Sequence, residues 1–184
     1  PLGSDEDLWE DLYQDLKVLP ETVEIIFSLP KDLQNNNELL HVLSNLKNVR
    51  TVFAEKGRGY QLNAGAKAAT KKILWFLHAD SRFHKKTIKS LEVSFSKNPK
   101  ALHYFNLRFL NDGPILVHLN AFGCWVRSRL FKVPFGDQGF CLTRDQFKKA
   151  GDYPTDLLYG EDHVFLWQAK RNSIKIKAVG APLK

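Results

Sequence analysis

Leucines recur every three or four positions near the start of the chain: Leu8, Leu12, Leu16 and Leu19, with Trp9 and Tyr13 beside them. That spacing predicts a helix over Asp5 to Leu19 with one apolar stripe. Acids crowd its first turns, where the helix dipole favours them, and Pro20 closes it. Val23 to Ser28 is a short β-branched run that reads as a strand ending before Pro30. Leu39, Leu40, Leu43 and Leu46 predict a second helix over Glu38 to Leu46, and Val49 to Ala54 a second strand. Gly57-Arg58-Gly59 reads as a turn. A helix of small residues follows over Gln61 to Lys71, including Ala64, Gly65, Ala66, Ala68 and Ala69.

Ile73-Leu74-Trp75-Phe76-Leu77 is the strongest strand pattern in the chain. It is apolar on both faces, as a central parallel strand covered on two sides should be. Lys85 to Lys97 predicts a surface helix with Ile88, Leu91 and Phe95 inward. Leu102 to Leu110 is extended, and Ile115 to Phe131 is an amphipathic helix ending in Arg127, Arg129 and Lys132. Gly139 to Leu142 is a short strand. Thr143 caps a helix that stops at Gly151. Glu161 to Arg171 is a further helix and Ile174 to Val179 a last strand. Helix and strand alternate through the first half, which predicts an α/β domain with a largely parallel sheet.

Composition narrows this picture. The chain has 184 residues, 43% hydrophobic and 26% charged, which suits one globular domain and argues against disorder or coiled coil. No apolar run approaches the roughly 18 residues of a membrane span. Pro1 to Ser4 resembles a tag remnant, leaving 5–184 as a single domain. Two cysteines, Cys124 and Cys141, make neither a disulfide framework nor a zinc cluster, so a reducing cytoplasm is the default. The formal charge is +7, unevenly spread: six acids precede Lys17, the first base. Such a basic body suits phosphates, nucleotides, nucleic acid or an anionic lipid surface. The basic end of the Ile115–Phe131 helix leaves peripheral membrane contact open. Aromatics fall on core positions rather than in a stacking motif, so nucleic acid ranks last.

In open α/β sheets, ligands gather at the C-terminal ends of strands. Asp80 stands there, in His78-Ala79-Asp80. It is a candidate ligand for Mg²⁺ or Mn²⁺, which take one or two carboxylates plus phosphate oxygens, and His78 points to the same side. The bland reading is that Asp80 closes a turn with Ser81. Arg58 and Gly59 could meet an anion at a helix start, or simply form a turn under a tightly packed helix. Glu161 and Asp162 open a helix, as dipole partners or as a general base. Asp137 is a further loop carboxylate.

Three blocks together carry a resemblance. EKGRGYQLNAGAKAATKKILWFLHADSRF (Glu55 to Phe83) resembles family 2 glycosyltransferases of the GT-A fold, in the branch whose pattern runs "GRGxQxNxGxxxA…LLFLHADT". VRSRLFKVPFGDQGFCLTRDQFKKAGDYP (Val126 to Pro154) is similar to that branch's "RSR…PYGDQxxFxRRxxFxxxGGFP". Gly160-Glu161-Asp162 resembles its "MED". Order and spacing agree over about two thirds of the chain.

The resemblance implies a three-layer α/β/α domain that binds a nucleotide-diphospho-sugar donor. Asp80 would match the metal-binding carboxylate, with His78 in place of a first aspartate. Asp162 would match the catalytic base of inverting members, with Glu161 beside it. Gly136, Asp137 and Gln138 would lie towards an acceptor of unknown identity. Arg58, Gly59 and Asn63 would lie near the donor diphosphate. The implied activity is metal-dependent, inverting sugar transfer to a hydroxyl. Three family features have no counterpart in the 184 residues: an opening strand ending "PTLNE", the acidic "VDGGSTD" (here Ser28-Leu29-Pro30-Lys31-Asp32) and a closing arginine-rich segment. These departures imply a truncated enzyme or, alternatively, a non-catalytic binding or regulatory relative.

Overall fold

Helix α1 spans Trp9–Leu16 and buries Trp9, Leu12, Tyr13 and Leu16; of the predicted leucine stripe Leu12 and Leu16 face inward, while Leu8, at the N-cap, is exposed and Leu19 lies beyond the helix end. This is a computed structural model, and it describes residues 1–3, 8–107, 134–157 and 159–183. The Ile115–Phe131 helix, its basic end and Cys124 lie outside the described residues.

Strand β1 (Ile25–Pro30) pairs parallel with β2 (Val49–Ala54), Ile25 opposite Val49 through Pro30 opposite Ala54. Between them come a 3-10 turn (Lys31–Asn35) and α2 (Asn37–Ser44), whose N-cap Asn36 accepts from the Leu39 N–H at 3.0 Å. Next is α3 (Arg58–Ala68). It starts three residues earlier than its small-residue run suggests. Gly57, at φ +135°, ends the strand connection in a conformation other residues rarely adopt, so Arg58 is already helical.

The remaining strands are β3 (Ile73–Trp75), β4 (Ala101–Leu107), β5 (Cys141–Thr143) and β6 (Lys175–Leu183). They form a second sheet in the order β3-β5-β4-β6. β4 and β6 are parallel, while β5 runs against both of its neighbours. The parallel expectation therefore holds for β1–β2 and β4–β6. It does not hold for the Ile73 strand, whose described partner is the antiparallel β5. That strand is also shorter than its apolar run, and Ile73 is half exposed.

Period-two alternation sends side chains to two cores. Leu74, Leu102, Tyr104, Phe140 and Leu142 meet α3, α5 (Arg144–Ala150) and α6 (Glu161–Arg171). Trp75, Phe105 and Cys141 meet α1 and α4 (Lys85–Lys97) on the other face. The result is helix, sheet, helix: the three-layer α/β/α arrangement. Cys141 is a fully buried small hydrophobe whose thiol pKa burial pushes well up. Thr143 caps α5, accepting from the Gln146 N–H at 3.2 Å. A third cluster joins α1, α2 and β1, and Leu2 is buried in it beside Phe27, Leu29 and Ala79. Leu2 is thus packed into the fold, although its tag-like context left it out of the predicted domain.

Candidate functional site

The C-terminal end of β3 leads into His78-Ala79-Asp80. There the His78 N–H reaches Ser81 Oγ at 3.2 Å and the Ser81 N–H returns to the His78 carbonyl at 3.2 Å. This closed turn leaves Asp80 exposed. From the far end of the sequence, α6 brings Glu161 and Asp162 to the same place. Its N-cap is Gly160 in the left-handed region (φ +86°), and both acids lie in the first turn, where the dipole favours them. Glu161 is 4% exposed and Asp162 15%.

Arg58, the first residue of α3, joins these parts. Its Nε lies 2.9 Å from Glu161 Oε1, and its Nη2 lies 3.3 Å from Asp162 Oδ2 and 2.5 Å from His78 Nε2. A guanidinium has no lone pair to give, so His78 Nε2 must accept, and the imidazole is neutral with its proton on Nδ1. Burial first, and the Arg58 charge second, lower the His78 pKa to about 3. Burial raises the Asp162 carboxyl to about 6. The neighbouring charges of Glu161 and Asp137 add to that rise. Arg58 and a backbone hydrogen bond from Gly136 oppose it. A carboxylate poised near neutral pH is suited to taking a proton from a hydroxyl.

The other expected residues are placed differently from one another. Gly136 lies directly under Asp162: a Cβ there would come 2.0 Å from Asp162 Oδ2, so any larger residue would displace the carboxylate. Gly136–Gln138 forms a 3-10 turn. Gln138 is buried, donating to the Phe105 carbonyl at 2.9 Å and accepting from the Phe135 N–H at 3.0 Å. Its amide holds the turn. Asn63 spends its amide on the Tyr153 backbone, donating to the carbonyl at 2.8 Å and accepting from the N–H at 2.9 Å. Gly59 lies against the Pro154 carbonyl, which a Cβ would meet at 2.0 Å. Gly59 and Asn63 therefore register α3 on the segment before α6. Sequence reasoning missed Tyr153, a buried ring stacked 4.1 Å from Phe165, and Pro154. It also missed Arg58 as the hub, because its partners are far away in sequence.

Among the described residues, no group of three or more His, Cys, Asp and Glu side chains could hold a metal ion. The donor set fits a divalent cation only in part. Asp80 offers an exposed carboxylate, which suits an ion completed by phosphate oxygens and water. His78 is committed to Arg58 and does not fit as a ligand in this arrangement.

A family model described as glycosyl transferase family 2 matches residues 17–147. The chain belongs to that family. No curated protein matches it. Among solved structures, S. aureus TarS 1–349 in complex with UDP-GlcNAc is similar at TM-score 0.71 and 15% identity, over 95% of this chain and 52% of that one. The Pyrobaculum calidifontis mannosyltransferase PcManGT, with GDP-Man and Mn²⁺, gives TM-score 0.67 and 16% identity, over 99% and 53%. The M. tuberculosis glucosyl-3-phosphoglycerate synthase, with Mn²⁺, UDP-Glc and phosphoglyceric acid, gives TM-score 0.62 and 14% identity, over 98% and 68%. The chain thus spans about half the length of the first two. At these identities the likeness establishes the GT-A fold. Among the described residues, no helix is long and apolar enough to cross a membrane.

Proposed function

We propose that this family 2 glycosyltransferase moves a sugar, with inversion, from a nucleoside-diphosphate donor to an acceptor hydroxyl. The observation that carries the reading is Asp162: a buried carboxylate with its pKa raised to about 6, seated on Gly136 at the start of α6 and tied through Arg58 to the end of β3. Asp162 takes the proton as the acceptor oxygen attacks the anomeric carbon from the face opposite the leaving diphosphate. Glu161, almost fully buried, anchors Arg58 from below. The neighbours' complexes with UDP-GlcNAc, GDP-Man and UDP-Glc support a nucleotide-sugar donor, and the two with Mn²⁺ support a divalent cation. Here Asp80 would hold it, and the cation would supply charge neutralisation for the departing diphosphate.

The test is turnover of UDP- and GDP-sugars with Mn²⁺ by the whole protein. Asp162→Asn should lower kcat by about 10²–10⁴-fold, the usual worth of a general base, without loss of folding. Retained turnover in that variant would remove Asp162 from the chemistry.

The non-catalytic alternative has one observation of its own. Asp32, in the place of the family's nucleoside-binding acids, is half exposed and pairs with Lys56 at 3.7 Å. That reading predicts no thermal shift with any nucleoside diphosphate and Mn²⁺. A clear shift at millimolar ligand would exclude it.

A further inference from the structure

Arg58 stands where its own helix disfavours it. It is the first residue of α3, at the positive end of the dipole, with no acid in that turn to offset it. A cation in that place must be held by partners elsewhere, and the partners are specific. One planar fork reaches Glu161 through Nε and both Asp162 and His78 through Nη2. A lysine ammonium, a point charge on a flexible stem, cannot span these directions in one fixed plane. The helix start that carries the fork is itself fixed. Gly59 abuts the Pro154 carbonyl, and one turn later Asn63 clasps the Tyr153 backbone from both sides. The segment so gripped leads directly into α6. The position of α3 and the position of Asp162 are therefore set together, with Arg58 spanning the gap.

We infer that Arg58 is the positioning residue of this site: its guanidinium fixes the orientation of the Asp162 carboxylate and keeps it ready to accept a proton, beyond any contact with a donor's phosphates. The inference rests on Asp162 being the base. Four groups face Asp162. Glu161 is on its own helix, and Asp137 is on the 3-10 turn whose Gly136 N–H also reaches it. Tyr153 is on the segment ahead of α6, and Arg58 comes from α3. Glu161 and Asp137 are like charges, so the opposing cation is Arg58.

The experiment reads Asp162 directly by NMR titration of ¹³C-labelled aspartate carboxyls, assigned by the signal lost in D162N. In the wild-type protein the midpoint should lie near 6. In R58Q it should move up by about one unit or more, and R58K, which keeps the charge without the planar fork, should restore only part of that shift. A midpoint within a few tenths of wild type in R58Q would overturn the inference. Should R58Q fail to fold, the wild-type protein still decides: the Arg58 Nη–H resonances, from the guanidinium nitrogen that faces Asp162, should titrate with the Asp162 midpoint, and pH-invariant resonances overturn the proposal. None of this needs turnover, so a failure of the glycosyl-transfer reading is recorded separately. Where turnover is present, R58Q should shift the kcat–pH profile. A rise in donor KM with an unmoved profile would assign Arg58 to the phosphates alone.

Discussion

Asp162 makes a claim on stability as well as on chemistry. Its carboxyl titrates at about 6 in the folded chain, against an ordinary 3.8. Between roughly pH 4 and 6 the folded state therefore holds a proton that the unfolded state has lost, and stability falls as pH rises through that window. Above pH 6 the full penalty is present. A two-unit shift is worth about 3 kcal/mol at most. That shift is already net of the Arg58 attraction, so Asp162→Asn, which resembles the protonated carboxyl, is expected to gain up to about 3 kcal/mol at pH 7.5. Thermal melts should show the variant melting higher than wild type at pH 7.5 and alike at pH 4. A variant less stable at pH 7.5 would mean that Arg58 more than offsets the cost of burying the carboxylate. The loss of activity and the gain of stability should thus appear in one substitution, as strained functional sites often show.

At the scale of elements, the question is how α3 and α6 hold one register although 104 residues separate Arg58 from Asp162. Asn63 is the clasp. Replacing it with alanine leaves the Tyr153 N–H and carbonyl without partners in a partly buried place, which should cost about 2–4 kcal/mol. Urea unfolding measures this, and an unchanged midpoint would reduce the clasp to an incidental contact. Leucine spacing marked α1 and α2, and Glu161 and Asp162 were visible at a helix start because a local signal, two acids after a glycine, encodes them. The helical state of Arg58 was hidden, since Gly57-Arg58-Gly59 has the composition of any turn. Asn63, Gly59, Gly136 and Gln138 stood out as site residues, yet each serves the site from beneath it. What distinguishes a residue facing a ligand from one holding the backbone is the partner across space, and Asn63 meets its partner 90 positions away. The reversal of β5 was illegible for the same reason: three residues of strand carry no direction of their own.

The whole molecule has a seam. Among the described residues, β1–β2 and the four-stranded sheet share no backbone pairing. What joins them is α3, packed on both, together with α1 and the buried first residues. The peptide groups that could have closed the seam point into it. Ile25 donates towards the β2 side, through Asn48, so by alternation Ile26 and Ser28 face away from β2. Phe76 bonds the β5 side at Phe140, which turns Trp75 and Leu77 away from β5. An apolar cleft of about 200 Å³ lies between these edges. At one end the Leu2 N–H bonds the Ser28 carbonyl at 2.9 Å, and Gln61 Nε2 donates to both the Leu2 and Ser28 carbonyls. Cooperative stability should follow hydrogen-bonded and packed continuity, so the two sheets need not open together. Hydrogen exchange should find the β1 and β2 amides exchanging well before those of β4 and β6. Leu2→Ala removes a side chain that is 1% exposed, and should cost about 2–5 kcal/mol if the site cannot collapse around it. The loss should fall first on β1 and β2, with β4–β6 protection changed little. If both sheets lose protection equally, the seam is mechanically closed by α3, and the domain unfolds as one unit despite its divided sheet.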